Sequence, residues 1–135
     1  MNNLKGTCFF ATTESLFNDH LIVIVSDPCD GRRLAVPISS IKYLEDGRPR
    51  YYDRACVIEA DEIKTLDGKN VLTKPSFASY KHAAEVIDSE MMLDQIRKIY
   101  NYRCNVTPHI LERIQAGARN SGDLEERFEK YFGHF

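Results

Sequence analysis

The chain has 135 residues, of which 43% are apolar and 28% charged, and a formal net charge of −2. This is the size and composition of one globular domain able to bury its own core. A balance this close to neutral excludes attraction to nucleic acid or membrane through global charge, so any nucleic-acid site must come from local charge.

Cys8, Cys29, Cys56 and Cys104 form no C-x-x-C pair and no Cys/His cluster of the kind that holds zinc. They read as free thiols of a reducing cell interior. The opening residues, MNNLKG, lack the pattern of a secretory leader. The longest apolar run, LIVIV at 21–25, is far shorter than the roughly 20 residues needed to span a bilayer. A cytoplasmic protein without membrane association is expected.

In chain order, Thr7 to Ala11 reads as a first strand. Leu21 to Val25 is β-branched and uninterrupted, as in a strand buried on both faces. Ser26-Asp27-Pro28 ends it, and Asp30-Gly31 makes a turn. Arg33 to Ile38 is a third strand, with Pro37 marking an edge, a bulge or a strand end. Ser39 to Asp53 is polar and reads as a long loop, followed by a fourth strand over Ala55 to Glu59. Asp67-Gly68-Lys69-Asn70 predicts a hairpin between Ile63–Leu66 and Val71–Thr73. Phe77 to Ile87 holds one or two more strands.

The period then changes. Ser89 is expected to cap a helix carrying Met92, Leu93, Ile96, Ile99 and Tyr100. Thr107-Pro108 caps the next, with Ile110, Leu111 and Ile114 on one face and Gly117 as an end or close-packing point. Ser121 opens a last helix with Leu124, Phe128 and Phe132. The expected fold is mainly β with C-terminal helices: one domain over 1–135, with a small antiparallel barrel over about 5–88 and a helical extension over 89–135.

Five short features in order resemble the PemK/MazF-like family of small SH3-like barrels. They are Gly6-Thr7-Cys8-Phe9-Phe10; the Ser-x-Pro that ends the second strand, Ser26-Asp27-Pro28; Val36-Pro37-Ile38-Ser39-Ser40; Ala55-Cys56-Val57-Ile58; and Ser76-Phe77-Ala78-Ser79-Tyr80. The tail Ile110 to Ala118 looks like that of MazF-like relatives with an extended helical end. The resemblance implies a toxin of a toxin–antitoxin pair. It would cut single-stranded RNA as a homodimer, without metal or other cofactor, and have an antitoxin protein as partner. Where that family places an arginine before the second strand, this chain has His20. Where it has a threonine after the third strand, this chain has Ser39, with Ser40 beside it.

Metal-free RNA cleavage needs a group to take the 2′-hydroxyl proton, a group to protonate the leaving 5′-oxygen, and donors to the phosphate. His20, Ser39 and Ser40 are the catalytic candidates. Histidine exchanges protons near neutral pH, whereas arginine is a permanent cation with a planar donor fork. Arg32 and Arg33 are expected within reach of the same groove. Arg48, Arg50, Tyr51 and Tyr52 interleave cations with rings that can stack bases. Lys81 and His82 complete the RNA-binding candidates, with Tyr80 and His82 on one face of a strand. Asn18-Asp19-His20 also reads as a plain turn, Ser39-Ser40 as a strand end, and the basic loop as a solvated or partner-binding surface. The competing reading is a non-catalytic barrel of the same fold that binds a partner protein or nucleic acid.

Overall fold

The apolar stretch at 21–25 sits in the middle of a sheet covered on both sides. The computed structural model describes residues 4–135, and the first three residues of the opening segment lie outside it. Seven antiparallel strands form one sheet: β1 (Thr7–Ala11), β2 (Leu21–Ile24), β3 (Arg32–Ser40), β4 (Val57–Ile58), β5 (Ser76–Ala78), β6 (Ala84–Ile87) and β7 (Tyr100–Asn105). Their order is β4-β5-β3-β2-β1-β7. β3 pairs with β2 along one edge; along the other it pairs with β6 through Arg32–Ala35 and with β5 through Ile38–Ser40. The sheet is open, with β4 at one end and β7 at the other. The helices are α1 (Asp88–Ile96) and α2 (Pro108–Asn120), with 3-10 segments at Tyr80–His82 and Glu126–His134. The protein is thus mixed α+β.

Alternation along the strands divides the core in two. Cys8, Leu21, Val23, Leu34, Val36 and Ile38 pack with Ile110, Ile114 and Ala118 of α2 and with Phe128 and Tyr131 of the last segment. Phe9, Ile22, Ile24 and Ala35 face the other way, onto Phe17, Val86, Met91 and Tyr100. Two-sided burial explains why β2 is continuously apolar instead of alternating.

Four expectations are corrected. Tyr80 and His82, expected on one face of a strand, lie in a 3-10 turn that buries Tyr80 and leaves His82 exposed. The helix expected from Ser89 through Tyr100 starts at Asp88 and ends at Ile96. Its expected apolar face is exposed at Met92, Leu93 and Ile96, while Met91 is buried. Lys98, at φ 63°, reverses the chain, and Tyr100 enters β7, which pairs with β1. Pairing with an otherwise open edge outweighs the helical spacing, so the helical extension carries a strand of the sheet. The hairpin at 63–73 keeps its turn, with Gly68 at φ 84° and Thr65 accepting from Gly68 and Lys69. Its arms form only an isolated bridge, Lys64 to Asn70. Ser121 is the C-cap of α2, and the last segment is 3-10 from Glu126. The Thr107 cap and Pro108 start of α2 are as expected, with Thr107 Oγ1 accepting from the Ile110 amide.

Two carboxylates tie the C-terminal elements to the sheet side. Glu62 accepts from Arg113 of α2, and Glu85 of β6 accepts from Tyr131 and pairs with Lys130 at 3.3 Å. Both carboxyls lie below the ordinary carboxylate range, Glu62 chiefly through the Arg113 hydrogen bond and Glu85 chiefly through that of Tyr131. A group with a lowered folded pKa stabilises fully above its unfolded value, about 4.3 for Glu, and loses that stabilisation as pH falls through the folded value. Urea unfolding is expected to show stability dropping below about pH 5. Glu62→Gln and Glu85→Gln should each be less stable at pH 7 with a shallower acid slope. Slopes equal to wild type would remove these two groups from the acid transition.

Candidate functional site

His20 sits at the start of β2, immediately before Leu21, which is registered against Ile38 of β3. Continuing that antiparallel register sets His20 across from Ser39. The preceding turn is unusual: Asn18 and Asp19 have φ of 44° and 62°, a left-handed region that Asn and Asp tolerate better than other side chains. This turn brings two carbonyls to the imidazole. Nδ1 of His20 lies 2.7 Å from the Phe17 oxygen and 2.9 Å from the Asn18 oxygen. Both partners only accept, so Nδ1 carries the proton. The basic nitrogen of neutral His20 is therefore Nε2.

Three adjoining hollows share residues and run as one groove past this histidine. The first, about 470 Å3, is lined by His20, Ser39, Ser40, Lys42, Lys74 and Arg103, among others, with Asp19 as its carboxylate. The second, about 550 Å3, shares His20 and Ser39 and adds Phe77, Ser79 and His82. The third, about 190 Å3, shares Phe77, Ser79 and His82 and adds Tyr51, Tyr52 and Lys81. His20, Ser39 and Ser40 thus come together at one end of the sheet, and Tyr51, Tyr52, Lys81 and His82 continue the groove away from them.

The arginine expectations fare differently. Arg32 and Arg33 begin β3, whereas Ser39 and Ser40 end it, so neither reaches the groove's histidine. A nine-residue strand, at about 3.3 Å per residue, separates them by most of its length. Arg33 is 2% exposed and is bonded to Asp88 at 2.5 Å and to the Ser26 carbonyl at 3.2 Å. It joins β3 to the start of α1, and its charge is spent inside the fold. Arg48 is exposed and paired with Asp46 at 2.7 Å, and Arg50 is exposed with its amide on the Lys42 carbonyl. Neither lines the three hollows.

Three cations do line the first hollow: Lys42 of the basic segment, and Lys74 and Arg103, which carry no signal in the sequence reading. Lys42 donates to Ser40 Oγ at 2.9 Å, which holds that hydroxyl beside a positive charge. Arg103 comes from β7 and lies over the Phe10 ring at 5.6 Å. Lys74 precedes β5. Among the described residues, none of the three takes part in an ion pair. Only the alternation Tyr100-x-Tyr102-x-Cys104 could have marked Arg103 as a strand residue.

At the far end, Tyr52 packs on Phe77 at 5.5 Å, and Arg54 lies over the Tyr52 ring at 4.4 Å. Tyr51 is 79% exposed and donates to Asp123 at 2.6 Å, which raises its phenol pKa. Among the described residues, no group of three His, Cys, Asp or Glu side chains could hold a metal ion, and no helix is long and apolar enough to cross a membrane. No family model, curated protein or solved structure matches the chain.

Proposed function

We propose that the groove binds single-stranded RNA and cleaves it without a metal ion, in the manner of a PemK/MazF-like toxin. The observation that carries this reading is the conjunction at His20. A histidine whose Nδ1 is fixed by carbonyls, leaving Nε2 basic, adjoins two hydroxyls and three cations in one hollow. Ser39 and Ser40 donate to a phosphate, Lys42, Lys74 and Arg103 offset its charge, and His20 takes the proton of the 2′-hydroxyl. Beyond His20, the exposed Tyr51 offers a ring face for an unstacked base. The forked pairing of β3 supports an opened variant of the small SH3-like barrel as the fold type. The reading brings with it a homodimer, an antitoxin partner and a cytoplasmic setting.

The direct test is incubation of the purified protein with mixed-sequence RNA in EDTA, followed by end-group analysis. Fragments bearing a cyclic phosphate and a 5′-hydroxyl are expected, and intact RNA would defeat the reading. Charge reversal at Lys42, Lys74 or Arg103 should weaken RNA binding. For each phosphate no longer neutralised, the slope of log K against log salt should fall by about 0.7. Unchanged slopes in all three variants would take the RNA path away from this hollow.

One observation favours a second reading, a barrel that binds nucleic acid or a partner protein without cutting. His20 stands where the resembled family carries an arginine, so the permanent cation of that family's site is missing here. Binding with no cleavage in the EDTA assay would select it.

A further inference from the structure

We infer that His82 is the second proton-transfer group of this groove, the acid that protonates the leaving 5′-oxygen while His20 acts as the base. The inference rests on the RNA-cleavage reading. It begins from the middle hollow, about 550 Å3, which both histidines line with Ser39. They reach it from different parts of the chain: His20 precedes β2, and His82 ends the 3-10 turn Tyr80–His82.

Each ring is held through the same nitrogen. Nδ1 of His20 faces carbonyl oxygens, and Nδ1 of His82 lies 2.9 Å from Ser79 Oγ. In both, Nε2 is left for a substrate. The partners differ in kind, and that difference assigns the roles. Carbonyls fix neutral His20 as the tautomer with a bare Nε2, which is a base. The Ser79 hydroxyl accepts as readily as it donates. As a donor it lets neutral His82 keep its proton on Nε2, a tautomer the carbonyls deny to His20, and as an acceptor it holds the imidazolium, with Nδ1–H bonded to Ser79 and Nε2–H free to be given away. Ser79 is 4% exposed, and its amide donates to the Pro37 carbonyl at 2.8 Å, so this anchor is rigid. The turn itself is pinned by Tyr80, fully buried and donating to the Ile114 carbonyl at 2.6 Å.

The step balances. His20 Nε2 takes the proton of the 2′-hydroxyl, and the 2′-oxygen forms a bond to phosphorus. The bond from phosphorus to the 5′-oxygen breaks with its electron pair on oxygen, and His82 Nε2 supplies the proton. The products are a 2′,3′-cyclic phosphate and a 5′-hydroxyl. Proton exchange with solvent restores both imidazoles.

The test compares two substrates in EDTA: an RNA oligonucleotide, and the same oligonucleotide with sulfur in place of the 5′-oxygen at the bond that wild type cuts. A thiolate leaves without a proton. His82→Ala is expected to lose about 10²–10⁴-fold on the oxygen substrate and to recover most of the rate on the sulfur substrate. His82→Gln, whose amide can still bond Ser79, should behave in the same way and controls for loss of the turn. His20→Ala should be impaired on both substrates. Unimpaired His82 variants, His82 variants equally slow on both substrates, or sulfur rescue of His20→Ala in place of His82→Ala would each overturn the assignment. Wild type inert on both substrates would overturn the RNA-cleavage reading and this inference with it.

Discussion

His20→Ala is expected to slow RNA cleavage by about 10²–10⁴-fold, the range for removal of a general base, while thermal unfolding stays close to wild type. The two halves of that result come from different facts. The imidazole is exposed, so its removal leaves no cavity in either core cluster. Its work is local: the Phe17 and Asn18 carbonyls hold Nδ1 and leave Nε2 basic beside Ser39. His20→Arg separates charge from proton transfer, because it restores a cation and a donor fork but cannot act as a base near neutral pH. If His20 is the base, the arginine variant should bind RNA at least as tightly as wild type and cut it no faster than the alanine variant. Rates would be read by gel under single-turnover conditions, and binding by titration at fixed salt. An alanine variant as fast as wild type would remove His20 from the chemistry.

Gly117→Ala should destabilise the protein by about 1–3 kcal/mol, the range for overpacking a filled core, although alanine is the better helix former by up to about 1 kcal/mol. The geometry decides the sign. A Cβ at Gly117 would lie 2.2 Å from the Tyr80 hydroxyl and 3.0 Å from both Tyr80 Cζ and Cys56 Cβ. Tyr80 cannot easily yield, because it is fully buried and its hydroxyl is bonded to the Ile114 carbonyl on the same helix. Gly117→Val should cost more, since two further carbons enter the same space. Tyr80→Phe alone should cost about 0.5–1.5 kcal/mol for the missing hydrogen bond. In the Gly117→Ala background it should cost less or be favourable, because it removes the atom in the closest clash. Denaturant melts of the four proteins complete the cycle, and an alanine variant as stable as wild type would show that α2 shifts without cost. Tyr80 also opens the turn that carries His82, so loosening this packing reaches the groove as well as the core.

What the sequence makes legible follows the range of the interactions. β1, β2 and β3 are visible because their apolar runs and the turns between them are local signals, and so is the Thr107-Pro108 start of α2. The convergence of His20 with Ser39 and Ser40 is an expectation carried by the resemblance, in whose fold the start of the second strand and the loop after the third come together. β7 was hidden because Ile99 and Tyr100 also continue the helical spacing of Met92 and Ile96, while its partner β1 lies at the other end of the chain. Arg33 looked like its neighbour Arg32. Strand geometry puts the two on opposite faces, and the Asp88 that neutralises Arg33 is remote in sequence. Lys42, Lys74 and Arg103 precede, follow or lie within three different elements, and only the folded sheet gathers them.

The pairing of β1 with β7, Cys8 against Cys104, has a consequence for the chain during synthesis. β1 is made before every other strand of this sheet and waits for β7, the last of them, to acquire its second neighbour, and Phe128 and Tyr131 must still arrive to fill the larger core cluster. Such long-range closure makes folding slow and late. Both histidines and both serines are translated well before Arg103, yet the groove they line has no complete wall until β7 is in place. If the groove cuts RNA, a nascent chain carries the reactive groups past the message being read without yet having the site to use them.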